Sequence, residues 1–258
     1  MPDPIYLLAP RNGKAATPPG PEFSGASVIS EFVTVLRGSF PERDFLVQKI
    51  MDATRDKDHR VHAETLLVRT GALAGAAALY HASVMDMSPF KTTEDMTRIL
   101  SSAEGEEKFR KSIKLISLLA GDRGHLSVSR IVNGGALFAG ATTICDPNKV
   151  LPRVEASLGT ARFGIPEVVP QHAPHELPRV AVARLWPQTK AFLQSAQRDP
   201  SRWMLDLAAA AQIFQLRAKA VLAPDIAANL VLQSAVAMSF LDPTDIDLPQ
   251  AHTSRTAR

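Results

Sequence analysis

The segment at residues 61–85 constrains the fold of this chain more than any other. It is rich in alanine and carries Gly71-x-x-x-Gly75 within the string Gly-Ala-Leu-Ala-Gly-Ala-Ala-Ala-Leu-Tyr. Alanine is the strongest helix former. Glycines four residues apart share one helix face, where the missing side chains let a second helix come close. The same spacing occurs in membrane helices, but here the apolar run is interrupted by Arg69 and His81 and is too short to span a bilayer. The segment therefore reads as the central packing helix of a bundle. The alternative use of that face is a homodimer seam. Ala208, Ala209, Ala210 and Ala211 repeat the small-residue theme, so close helix contacts are expected elsewhere in the fold as well.

Composition supports a folded domain. Of 258 residues, 45% are apolar, which is too many for a disordered chain. The single cysteine, Cys145, supports neither a disulfide framework nor a cysteine-based zinc site. A net charge of +3 is too small and too dispersed to announce a polyanionic partner. The densest basic run, Lys108, Arg110, Lys111 and Lys114, follows Glu104, Glu106 and Glu107. With the acid first at i,i+4, these residues read as a solvated helix, so no nucleic-acid partner is expected. No charged region precedes the short apolar patch near Ile5, and the chain is expected to be cytoplasmic, with no membrane contact.

The expected architecture is all-α, a single compact domain of about eight to ten helices with disordered termini. Residues 1–23 carry Pro2, Pro4, Pro10, Pro18, Pro19 and Pro21 and read as a disordered leader. Residues 24–242 form the globular domain, and residues 243–258 a flexible polar tail. Helices are predicted over 27–37, 41–55, 61–85, 92–100, 106–120, 178–197, 201–222 and 224–241. In the second of these, Phe45, Leu46, Ile50 and Met51 are expected to be buried. Asp146-Pro147 and Asp199-Pro200 each read as a cap followed by a first-turn proline. Gly159 is a candidate to close the helix after Asp146, and Pro187 is expected to kink or break its helix. Residues 126–145 fit either a helix or a hairpin; helix is favoured, because an isolated strand pair is out of place in a helical domain. Residues 160–177, with Pro166, Pro170 and Pro174, read as a long ordered loop or lid.

Histidine carries most of the chemical signal. His59-x-x-His62 and His172-x-x-His175 have the same spacing, and each pair has a glutamate beside it, Glu64 or Glu176. Imidazole with carboxylate is a plausible shell for a divalent transition metal, so His59, His62, His172 and His175 are metal candidates. The competing reading is a polar helix start for the first pair and an ordered loop for the second. Asp122 and His125 follow a helix end and form an acid–base candidate or a plain polar turn. Arg130, with Arg60 and Arg69, is suited to clamping a carboxylate or phosphate if the three converge. The ligand-binding candidates are therefore His62, Glu64, Asp122, His125 and Arg130. Cys145, just before a helix start, would have a thiolate favoured by the helix dipole, but a buried structural thiol is the better reading. Gly134-Gly135 matches no nucleotide loop.

The strings Arg60-Val-His-Ala-Glu-Thr-Leu-Leu with Gly71-Ala-Leu-Ala-Gly, and Phe163-Gly-Ile-Pro with His172-Ala-Pro-His175 and Leu185-Trp-Pro, resemble a proteobacterial all-helical family of unknown function. The resemblance covers residues 40–242 and implies a helical fold and no particular chemistry. No enzyme motif stands in its required context. The expected function is a module binding a small molecule or a protein partner, through a largely apolar pocket with a few convergent polar groups. The alternatives are a metal-assisted hydrolase built on the His/Glu pairs, and a homo-oligomer, such as a homodimer, packed through the Gly71–Gly75 helix.

Overall fold

The computed structural model describes residues 6–7, 43–86, 98–101, 108–111, 113–121 and 126–242. Among these it has eight α-helices: α1 (Arg43–Thr54), α2 (Ala63–Asp86), α3 (Ile113–Ala120), α4 (Val128–Ala139), α5 (Pro147–Ser157), α6 (Pro178–Ser195), α7 (Pro200–Ala218) and α8 (Pro224–Ser239). A 3-10 turn, Pro170–His172, interrupts the long connection from α5 to α6. The all-α expectation holds. The helix expected at 27–37, residues 92–97 of the one expected at 92–100, and the tail lie outside the described residues.

Helix α2 is the centre of the domain. It touches α1, α3, α6, α7 and α8. From Leu66 to Leu79 it is buried on every side, including Thr70, whose hydroxyl donates to the Leu66 carbonyl at 2.7 Å. The glycines are where α8 crosses it. A Cβ at Gly71 would overlap the Val231 backbone, and one at Gly75 the Ala235 backbone. The seam predicted from the glycine spacing is thus filled by a helix of the same chain. This face of α2 is covered within the monomer. A second close approach joins α4 to α7, where a Cβ at Gly135 would meet the side chains of Gln212 and Gln215.

Local signals set the helix starts. α5, α6, α7 and α8 all begin with proline, whose fixed φ and missing N–H suit a first turn. Asp146 accepts from Asn148 N–H at 3.0 Å and Asp199 from Ser201 N–H at 2.9 Å, as the Asp-Pro pairs predicted. Gly121 and Gly159 follow helix ends with φ of 77° and 71°, a region where glycine pays no steric penalty. Pro187 does not break its helix: α6 runs uninterrupted to Ser195, with Pro187 exposed and Trp186 fully buried. Tyr80, Trp186 and Trp203 then tie α2, α6 and α7 together. Tyr80 stacks on Trp203 at 5.1 Å, and Trp186 meets Trp203 edge-on at 6.3 Å.

Two sequence expectations need correction. Arg98–Ser101 and Lys108–Lys111 are paired antiparallel strands, not helix, with Leu100 opposite Phe109 and Ile99 opposite Arg110. A run of four residues is too short for periodicity to separate helix from strand, and the acid–base spacing fits either. The acidic members of the Glu–Lys pairs predicted there lie outside the described residues, while residues 128–139 are helical as expected. Phe45 was expected in the core but is 60% exposed, stacking on Phe192 at 5.8 Å. A further two-residue pairing joins Tyr6–Leu7 to Val61–His62, a contact that falls within the leader predicted to be disordered. No described helix is long and apolar enough to cross a membrane.

Adding a methyl group at the α2–α8 crossing forces two backbones apart. Gly75→Ala is expected to cost more than about 2 kcal/mol, as overpacking in a rigid core does. Urea denaturation of the variant beside the parent checks this.

Candidate functional site

The densest convergence of titratable side chains is at the start of α2. It is built by a tight turn. Asp56 Oδ1 accepts from the backbone N–H groups of Asp58 at 2.9 Å and Arg60 at 2.8 Å. His59, with φ of 60°, is the exposed tip of this turn. The chain then pairs briefly with Tyr6–Leu7 and enters α2 at Ala63.

His62 takes the position usually held by Ser, Thr, Asp or Asn. Its Nδ1 accepts from Thr65 N–H at 3.3 Å and lies 2.8 Å from Thr65 Oγ1. A backbone N–H can only donate, so Nδ1 must carry a lone pair, and the neutral ring holds its proton on Nε2. That nitrogen faces Glu64 Oε2 at 3.4 Å, a long approach that leaves this oxygen without a well-formed hydrogen bond. Glu64 is 1% exposed, in the first turn, where the helix dipole favours a carboxylate.

The long loop between α5 and α6 closes over this cluster. His172 Nδ1 donates to Glu64 Oε1 at 2.9 Å. His175 N–H donates to Thr65 Oγ1 at 2.8 Å, and the His175 ring stacks on His62 with centroids 3.7 Å apart and planes 14° from parallel. Glu176 binds Arg69 of α2 and, at 3.1 Å, Arg184 of α6. Arg69 also donates to the Ala53 carbonyl at 2.8 Å, so one buried guanidinium fastens α1, α2 and the loop.

Three of the four predicted metal-candidate histidines thus meet, together with Glu64, and His59 stays outside. They meet as a hydrogen-bond network. Imidazole lone pairs lie in the ring plane, and two stacked, nearly parallel rings cannot aim theirs at one ion about 2.0–2.1 Å from both. The Nδ1 lone pair of His62 is already engaged by Thr65. Among the described residues no group of three or more His, Cys, Asp or Glu side chains is placed to hold a metal ion. With His59 outside, the two histidine pairs do not unite at one place. Nor does the three-arginine clamp: Arg60 binds Asp56 and Asp58, Arg69 binds Glu176, and Arg130 stands half-buried in the first turn of α4. Asp122 and His125 lie outside the described residues.

Sequence reasoning missed a second polar cluster. Asn133 of α4 brackets Cys145, donating to its carbonyl at 2.8 Å and accepting from its N–H at 3.0 Å. The Cys145 thiol donates to Asn229 Oδ1 at 3.3 Å, and Gln233 donates to the same oxygen at 2.8 Å. Gln233 in turn exchanges bonds with the backbone of Glu167 in the long loop. The signal was present as two amides four residues apart, Asn229 and Gln233, on a helix whose other buried residues are mostly apolar. Beside this network lies a cleft of about 270 Å³ bordered by Thr143, Cys145, Lys149, Arg153, Asp225 and Asn229. It is polar, unlike the apolar pocket expected. An apolar crevice between α1 and α6, lined by Leu46, Ile50, Leu185 and Phe192 among others, holds only about 50 Å³.

Burial shapes the titration of these groups. It lowers the His62 pKa below the ordinary 6.5; the Glu64 charge opposes the shift and His175 reinforces it. The unfolded chain therefore takes up the proton first. This contribution to stability is complete above pH 6.5 and falls away as pH drops toward the depressed folded value. His81 is shifted the same way by burial and Lys114. Urea midpoints are expected to fall between pH 7.5 and 5, with a smaller drop in His62→Asn, the remainder being due to His81. Burial also pushes the Cys145 thiol up to about 11, with Arg153 opposing the rise and Asp146 adding to it. Iodoacetamide at pH 7.5 is expected to label Cys145 much more slowly in the native protein than in urea, as followed by mass spectrometry. No family model matches the chain, and no match is found among curated proteins or solved structures.

Proposed function

We propose that this chain is a binding module for a small polar molecule carrying charges of both signs, held in the cleft between the start of α5 and α8. The observation that carries this reading is the cleft itself. Its volume of about 270 Å³ suits a small metabolite. Lys149 and Arg153 border it with Asp146 and Asp225, so both signs of charge meet over a few side chains. Its inner wall is ordered before any ligand arrives, because Cys145 and Asn229 are fixed by Asn133 and Gln233. Such preorganisation lowers the entropic cost of binding. Arg153 is itself paired with Glu167, so the long loop also borders the site.

The histidine cluster supports a positioning role better than a hydrolytic one. His62, His175 and Thr65 satisfy one another, and Oε1 of Glu64 is engaged by His172. A thermal-shift screen of amino acids and related zwitterions tests the binding reading. A true ligand at a hundred times its Kd should add about 2.7 kcal/mol of stability. Lys149→Ala and Asp225→Ala are each expected to weaken it about tenfold or more, the loss of one charge-assisted bond. Binding unaffected by both substitutions, or no binding by any member of the set, sinks the proposal.

A further inference from the structure

The network at the start of α2 contains one bond pattern that only a neutral histidine can sustain. His62 Nδ1 is the acceptor that caps Thr65 N–H, and it also receives the Thr65 hydroxyl. That hydroxyl oxygen accepts from His175 N–H, so the three groups form a relay running from the loop to the helix end. Serine, threonine, asparagine and aspartate, the usual capping residues, keep an acceptor oxygen at every physiological pH. Imidazole does not.

We infer that His62 is a pH-operated latch on the long loop: a proton taken at Nδ1 removes the acceptor for both Thr65 groups and releases the His175 end of the loop from α2. The protonated nitrogen would point a donor at the Thr65 N–H donor. The Thr65 hydroxyl proton would lose its acceptor, and the new Nδ1–H would compete with the His175 N–H for the hydroxyl oxygen. A cationic ring would also lie face to face with His175 at the 3.7 Å stacking distance.

The charged and titratable groups around His62 agree on the direction of release. From α2, Glu64 faces Nε2 and attracts the cation, drawing the ring toward itself and out of the stack. From the loop, His175 opposes a second positive charge, and His172 is held on the other oxygen of Glu64. Further along, Arg69 and Arg184 are both committed to Glu176. From the end of α1, Arg55 bridges to Val61 through its backbone and pairs with Asp52 at 3.2 Å. The opposite end of the loop stays fastened by Glu167 to Gln233 and Arg153. Release is therefore local to the segment around His175. Burial, which holds His62 neutral near pH 7, places the event on the acid side of neutrality. The inference does not depend on a ligand in the cleft.

Nuclear magnetic resonance of the full chain tests it without any ligand. The ring-nitrogen shifts of His62 and the exchange protection of the His175 amide are followed from pH 7.5 to 5.0, with protection corrected for the intrinsic exchange rate. At pH 7.5 the proton should sit on Nε2. As His62 titrates, His175 protection should fall by about tenfold or more with the midpoint of the His62 signal, and level off below it. In His62→Asn, an amide oxygen keeps the cap and cannot titrate, so protection should hold across the range. His175 protection that stays constant while His62 titrates overturns the latch. So does an equal loss in His62→Asn, which would assign the effect to His172 or His175. If His62→Asn does not fold, the shared or separate midpoints of the two signals in the parent chain decide alone.

Discussion

The contact between α2 and α8 at Gly71 and Gly75 is the constraint from which the rest of the architecture follows. With no side chain at either position, the backbones of Val231 and Ala235 rest directly on α2. Dispersion attraction falls steeply with separation, so an approach this close makes every neighbouring pair of side chains count for more. It also commits α2 to being buried on all sides, because α1, α3, α6 and α7 fill the faces that α8 leaves. A helix with no solvent face leaves few places for polar groups. In α2 the buried polar and charged side chains gather in its N-terminal third as Glu64, Thr65, Arg69 and Thr70.

That concentration explains why the histidine network forms where it does. A buried carboxylate in the first turn needs donors, and the long loop supplies His172, while His62 supplies a second, longer approach. Arg69, one turn further along, needs an acceptor and finds Glu176. The loop is held down by the polar requirements of the central helix, so a segment with three prolines and no regular structure beyond one 3-10 turn is seated on the domain. Its other end is seated by the amide relay from Asn229 through Gln233 to Glu167. The loop thus spans two polar centres, one built on histidines and one bordering the cleft.

Much of this was legible in residues and spacings. The Asp-Pro starts, the all-α class, the central role of the Gly71–Gly75 helix and the recurrence of two histidine pairs all came from local rules of backbone geometry, which do not need a partner to operate. The misreadings share a cause. Residues 98–101 and 108–111 are too short for period to decide, and Phe45 sits on a helix whose apolar stripe is wider than the face the core covers. For the histidine pairs, spacing reports that imidazoles are available, whereas ring orientation decides where their lone pairs go. The Asn133–Cys145–Asn229 cluster was hidden because its members lie far apart in the chain and none is unusual alone.

The sequence by itself determined where helices begin, that one of them must be central, and that no cysteine framework holds the chain together, because propensity, capping and burial of apolar faces act over a few residues. Only the tertiary structure decided that the glycine seam closes within one chain, and that His62, His172 and His175 gather on Glu64 as a hydrogen-bond network. It also placed a polar cleft beside Cys145. Those outcomes depend on which surfaces meet and at what angle, and the direction of a hydrogen bond or a lone pair exists only once both partners are in place.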